Sequence, residues 1–139
     1  MAVAVAIGSI VTTDPAAGLD ATRSRLIVEG TLTLSSTYGD VGGHGDVVNF
    51  ESAQVGSSLP PAWVEIREDQ GAGNAPLGYV FVYATGTNQS NGKLMVLNQA
   101  TAAAKTGMVE FTQGDAYSTG TPTLDAAVLR FRAAFVKNI

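Results

Sequence analysis

The chain has 139 residues, no cysteine and a net charge of −4, with charged residues at only 14%. Disulfides, thiolate chemistry and cysteine zinc sites are therefore excluded, and an acidic balance argues against phosphate-backbone binding, which needs concentrated Lys and Arg. A length of this order suits one domain that buries roughly 65–70% of its unfolded surface, although about 25% charged residues is usual for such a domain.

The first apolar run is Ala2-Val3-Ala4-Val5-Ala6-Ile7. It lacks the basic n-region and long h-region of a secretory signal, and it falls far short of the roughly 20 residues that span a bilayer. Read as extended chain, it places Val3, Val5 and Ile7 on one side and the alanines on the other. Residues 12–18, Thr-Thr-Asp-Pro-Ala-Ala-Gly, read as a long connection rather than a tight hairpin. Residues 1–20 are thus expected to form an N-terminal arm and linker, with Val3, Val5 and Ile7 as candidate partner-binding residues. An unpaired strand edge is usually covered by a partner; an intrachain strand elsewhere in the sequence is the alternative.

Arg25 to Leu34 alternates, with Leu26, Val28, Leu32 and Leu34 on one face. Gly30 falls on that apolar face and suggests a bend or bulge. Residues 46–50 and 62–67 read as two further strands, the second after Pro60-Pro61. Residues 77–84 are apolar on both faces, which predicts a central strand covered on both sides. Asn91-Gly92 between this run and residues 93–97 predicts a hairpin with a type I′ turn, because both residues accept positive φ. Residues 99–105 have helix-friendly composition but are too few for more than a turn or one helical turn. Residues 108–112 and 126–136, counted with the N-terminal run as a terminal strand, complete about eight strands. The last alternates Leu129, Phe131, Ala133 and Phe135 inward with Arg130 and Arg132 outward. The pattern predicts an all-β, single-domain β-sandwich over residues 1–139, jelly-roll-like.

Chemistry-bearing groups are few. His44 is the sole histidine, and no Gly-x-Ser-x-Gly elbow accompanies it. Asp40, His44 and Asp46 share a glycine-rich segment but match no EF-hand spacing, so the reading is an exposed loop histidine and no metal site. Glu65, Glu68, Asp69 and Glu110 would need to flank a cleft for glycoside hydrolysis, and Glu65 and Arg67 read as solvated strand residues. Gly71-Ala72-Gly73-Asn74 lacks the following helix that a phosphate loop requires. Trp63, Tyr79, Phe81 and Tyr83 offer either a sugar platform or core filling. Asn88-Gln89-Ser90 has the form of a glycosylation sequon, which matters only in a eukaryotic secretory setting. The chain reads as a protein without catalytic residues or cofactors.

Several segments together resemble the small structural proteins encoded beside capsid genes in tailed bacteriophages. They are Gly30-Thr31-Leu32-Thr33-Leu34-Ser35 leading to Tyr38, Gly78-Tyr79-Val80-Phe81-Val82-Tyr83 followed by Asn91-Gly92-Lys93-Leu94-Met95-Val96, the Ala-rich stretch at 101–107, and Leu129-Arg130-Phe131-Arg132-Ala133-Ala134-Phe135. The resemblance covers residues 26–136 and departs at the N-terminal run and at residues 52–61. It implies a capsid decoration, or cement, protein on the outer surface of the virion. Its partner would be the major capsid protein, and it would be a homo-oligomer, dimer or trimer, at a symmetry axis, with no nucleic acid and no membrane. On that reading, deleting residues 2–7 weakens attachment more than it lowers monomer stability. A carbohydrate- or receptor-binding β-sandwich is the alternative, favoured if a solvent-facing Trp63 stands beside two tyrosines.

Overall fold

A computed structural model describes residues 3–13, 25–39, 44–52, 55–68, 78–99, 107–119, 123–125 and 127–136. Among them are eight strands: β1 (Val3–Thr13), β2 (Arg25–Leu34), β3 (Asp46–Val48), β4 (Trp63–Glu68), β5 (Val80–Ala84), β6 (Gly92–Gln99), β7 (Met108–Glu110) and β8 (Val128–Val136). Two antiparallel sheets form a β-sandwich. The first has the order β1-β2-β8-β4; the second has β3-β6-β5, with β7 also on β6. β1 lies against β3 and β4 against β5 across the interior.

The alternation read from the sequence sets the facing of the long strands. Leu26, Val28, Leu32 and Leu34 of β2 and Leu129, Phe131, Ala133 and Phe135 of β8 are all buried in one core with Phe50, Leu94 and Val96. Arg130 and Arg132 are exposed on the opposite face, as a period of two requires. Phe50 sits at the centre of the aromatic packing, its ring 5.1 Å from that of Phe131 and 5.6 Å from that of Phe135.

Three expectations need correction. Residues 3–7 are the start of an eleven-residue strand, as the strand reading of the run has it, but they are no separate arm: β1 pairs along its length with the very next strand, from Val3↔Leu34 to Thr13↔Arg25. Hairpin pairing needs no tight turn when both strands are long enough to hold each other. Within β1 the register shifts between Ile7 and Ser9, so the bulge sits at Gly8 and not at Gly30 across from it. Gly30 is needed for close approach, since a Cβ there would lie 2.0 Å from the Ala6 carbonyl oxygen and 2.8 Å from the Phe131 ring.

The second correction concerns β5. It is an edge strand, not a central one, and Val80 is 46% exposed. β6 occupies the middle, with β5 on one side and β3 and β7 end to end on the other. Phe81 and Tyr83 are covered because they pack on the opposing sheet's core, which a two-sided apolar pattern cannot distinguish from central placement.

Third, the β5–β6 hairpin exists, but its turn is longer than type I′. Residues 85–91 form the connection, closed by the Asn91 side chain, whose Oδ1 accepts the Thr87 and Asn88 amides at 2.9 and 3.0 Å. Gly92 is already in β6 and has no positive φ. Glycine is required there because the Tyr83 phenol occupies the space a Cβ would take. The Tyr83 hydroxyl is buried with no hydrogen-bond partner among the described residues, and burial pushes its pKa up to about 12.

The segment at 52–61 contributes more than a link. Val55 is fully buried, and Ser57 Oγ donates to the Val136 carbonyl at 2.8 Å while Ala62 N–H donates to the Ala134 carbonyl at 2.7 Å. Of the expected turn at 99–105, Gln99 ends β6 and the remainder lies outside the described residues.

Candidate functional site

The outward face of the four-stranded sheet is ordered by its registers. Val11↔Ile27, Ile27↔Ala134 and Ala134↔Trp63 align one row across all four strands. Every member is apolar. Ala134 is fully buried on this outer face, Val11 is 58% exposed and Trp63 is 39% exposed. The adjacent row is polar: Ser9, Glu29, Arg132 and Glu65, with Arg132 Nε 3.0 Å from Glu29 Oε1. The row beyond it reads Ala6, Thr31, Arg130 and Arg67. Gly8 and Gly30 leave a shallow groove of about 500 Å³ between these charged side chains. The exposed Glu29–Arg132 pair contributes little stability, since such pairs are typically worth about 0–1 kcal/mol. The charge ladder forms a polar margin beside the apolar row.

The three candidate partner-binding residues lie at one end of this sheet. Val3 is fully buried, and Val5 and Ile7 are half-buried against the core. Their side chains serve the monomer's interior; what β1 offers outward is Val11 and a main-chain edge that no other strand among the described residues pairs with. The sequence reading missed Val11 because the bulge at Gly8 changes which residues face out, and no local pattern announces that shift.

A second polar centre joins the other sheet to the loops at its edge. β3 and β7 leave a gap along β6, and the Tyr38 hydroxyl fills it, accepting the Val96 amide at 3.3 Å. Tyr38 Oη in turn donates to Glu110 Oε1 at 2.6 Å, and Gly45 N–H donates to the same oxygen at 3.1 Å. His44, exposed at 78%, places Nδ1 2.5 Å from Glu110 Oε2. Asp46 accepts Gly39 N–H at 3.0 Å through Oδ1 and the Tyr117 hydroxyl through Oδ2. Tyr38, Tyr117 and Phe111 pack together, the first two edge to face. Ser36, at a φ of 65°, turns the chain into this cluster.

Burial opposes ionisation of Glu110, but hydrogen bonds from Tyr38 and His44, the charge interaction with His44 and the Gly45 amide outweigh it and hold its carboxyl below the usual range. Burial, with hydrogen bonding to Glu110 and Asp46 respectively, pushes the Tyr38 and Tyr117 phenols well up. The consequence for stability has a definite sign. A depressed folded-state pKa contributes stability that is complete above the ordinary value of 4.5 and is lost as pH falls below it through the folded pKa. Thermal melts over a pH series should show a fall beginning below that value, and Glu110→Gln should flatten it. An unchanged acid limb in the variant would show that other carboxylates carry the effect.

The sequence placed His44 in an exposed loop; the structure adds its partner Glu110, 66 positions away. Asp46 turns inward to Tyr117, and Asp40 lies outside the described residues. Among the described residues, no group of three or more His, Asp and Glu is arranged to hold a metal. Glu65 stands on the outer face of the first sheet, Glu110 on the second, and Asp69 and residues 71–74 lie outside the described residues. Trp63 is separated from the tyrosines: Tyr79 and Tyr83 pack on the core beside Phe111 and Phe50, and its own row neighbours are Ala134 and Ile27. No protein-family model, curated protein or solved structure matches the chain.

Proposed function

We propose that this chain is a capsid decoration protein of a tailed bacteriophage, seated on the outside of the shell and cementing neighbouring copies of the major capsid protein. Its work is adhesion, with no catalytic step. The observation that carries the reading is the outer face of the four-stranded sheet, where Val11, Ile27, Ala134 and Trp63 form an apolar row flanked by Glu29, Arg132 and Glu65. A sandwich with so little charge and so many uncharged turns suits repeated contact with a protein lattice. Its rigid face can present Trp63, a residue type enriched among binding hot spots. Purified protein added to shells that lack it should co-sediment with them and raise the temperature at which they rupture. Trp63→Ala should lower occupancy by about tenfold or more, the scale of a central aromatic anchor. Shells that neither bind the protein nor gain heat resistance would remove the reading.

The exposure of Trp63 also favours the alternative of a carbohydrate-binding module. The core packing of Tyr79 and Tyr83 weighs against it, because a sugar platform needs neighbouring exposed rings. Binding to a glycan panel, abolished by Trp63→Ala, together with no affinity for shells, would establish that alternative.

A further inference from the structure

We infer that Asn91 is a deamidation site that the fold holds shut, converting to aspartate and isoaspartate only when the β5–β6 connection opens. Among the asparagines of the chain, only Asn91 precedes a glycine. That pairing is reactive because glycine has no side chain to shield its amide nitrogen. The Gly92 nitrogen, once deprotonated, attacks Asn91 Cγ, and the new C–N bond closes a succinimide ring. The Cγ–Nδ2 bond breaks, and Nδ2 leaves as ammonia, taking up through solvent the proton that Gly92 gave. Water then opens either ring carbonyl. One opening gives aspartate; the other gives isoaspartate, whose main chain runs through the side-chain carbons.

The folded chain opposes each requirement of that step. Asn91 Oδ1 accepts the Thr87 and Asn88 amides, and Nδ2 donates to Thr87 Oγ1 at 2.7 Å. The side-chain amide must leave all three bonds to swing its Cγ onto the next nitrogen. Gly86 lies against it so closely that a Cβ there would collide with Asn91 Oδ1, which leaves little space for the swing. The attacking side is fixed as well. Gly92 is buried, opposes Val48 as the first residue of β6 and lies under the Tyr83 phenol. An anionic nitrogen is costly there, since burying an unpaired charge is strongly unfavourable. Asn91 itself is exposed, so water reaches the ring once it has formed. Ring closure therefore waits on local opening of residues 85–92. Conversion then damages the connection. Aspartate lacks the Nδ2 donor that Thr87 Oγ1 accepts, and isoaspartate inserts a methylene just before Gly92, displacing it from beneath Tyr83.

The site is independent of the capsid reading and is tested on the full-length protein alone. It is incubated at mildly alkaline pH with and without unfolding urea, and peptide mass spectrometry reads conversion at every asparagine. In urea Asn91 should convert fastest. In the native protein its rate should be lower by at least about tenfold, because only opened molecules react. Thr87→Val removes the hydroxyl acceptor at an exposed position. It should raise the native rate about threefold or more, the effect of one lost hydrogen bond, and leave the rate in urea unchanged. Isoaspartyl protein returned from urea to native conditions should melt below the unmodified chain. Equal rates with and without urea, another asparagine faster than Asn91 in urea, a native rate unmoved by Thr87→Val, or an isoaspartyl form that melts with the unmodified protein would each overturn the proposal.

Discussion

Deleting residues 2–7 is expected to destabilise the monomer severely. Val3 is fully buried and Val5 and Ile7 pack on the core, so the truncation removes one complete and two partial aliphatic burials. At about 1.5–3 kcal/mol for each fully buried side chain of this size, the loss is roughly 3–6 kcal/mol. Such a loss is a large share of the ~5–15 kcal/mol that holds a domain together. The damage extends to β2, whose residues Gly30 to Leu34 lose their partners Val3 to Ile7 and become an open edge. A fall in melting temperature of at least about 10 °C should follow. This outcome reverses the expectation drawn from sequence, where the run reads as an arm whose loss chiefly weakens attachment. A truncated protein that melts within about 3 °C of full length, a shift worth under about 1 kcal/mol, would return residues 2–7 to the role of a dispensable arm.

Phe131→Ala is expected to cost roughly 3–5 kcal/mol, the usual range for truncating a buried phenylalanine. Its ring is 3% exposed, packs against Phe50 and fills the space that the missing side chain of Gly30 leaves open. That last contact makes the site hard to repair, because Gly30 has nothing to extend into the cavity. Arg130→Ala, one residue away and on the solvent face, should change stability by less than about 1 kcal/mol. Denaturant titrations of the two variants measure the difference directly. Equal losses would contradict the assignment of faces on β8.

Local pattern was enough for much of this molecule. The alternation of Leu26, Val28, Leu32 and Leu34, and of Leu129, Phe131, Ala133 and Phe135, determines which side of each strand is dry, because side chains alternate with a period of two wherever the chain is extended. The eight strands and the β5–β6 hairpin were legible on the same grounds. Tertiary structure alone decided which strands are neighbours. β1 beside β2, β6 at the middle of its sheet and β5 at an edge are long-range choices, and an apolar run records only that it is covered, not by what. Gly92 shows the limit well. Its sequence context signals a turn, yet the requirement for glycine comes from the Tyr83 ring lying over it. Likewise the Tyr38–Glu110–His44 contacts join positions 66 and 72 residues apart, and the outward turn of Val11 depends on a bulge opposite another strand. Contacts of that reach arise only when the sheets have closed, since their partners share no periodicity along the chain.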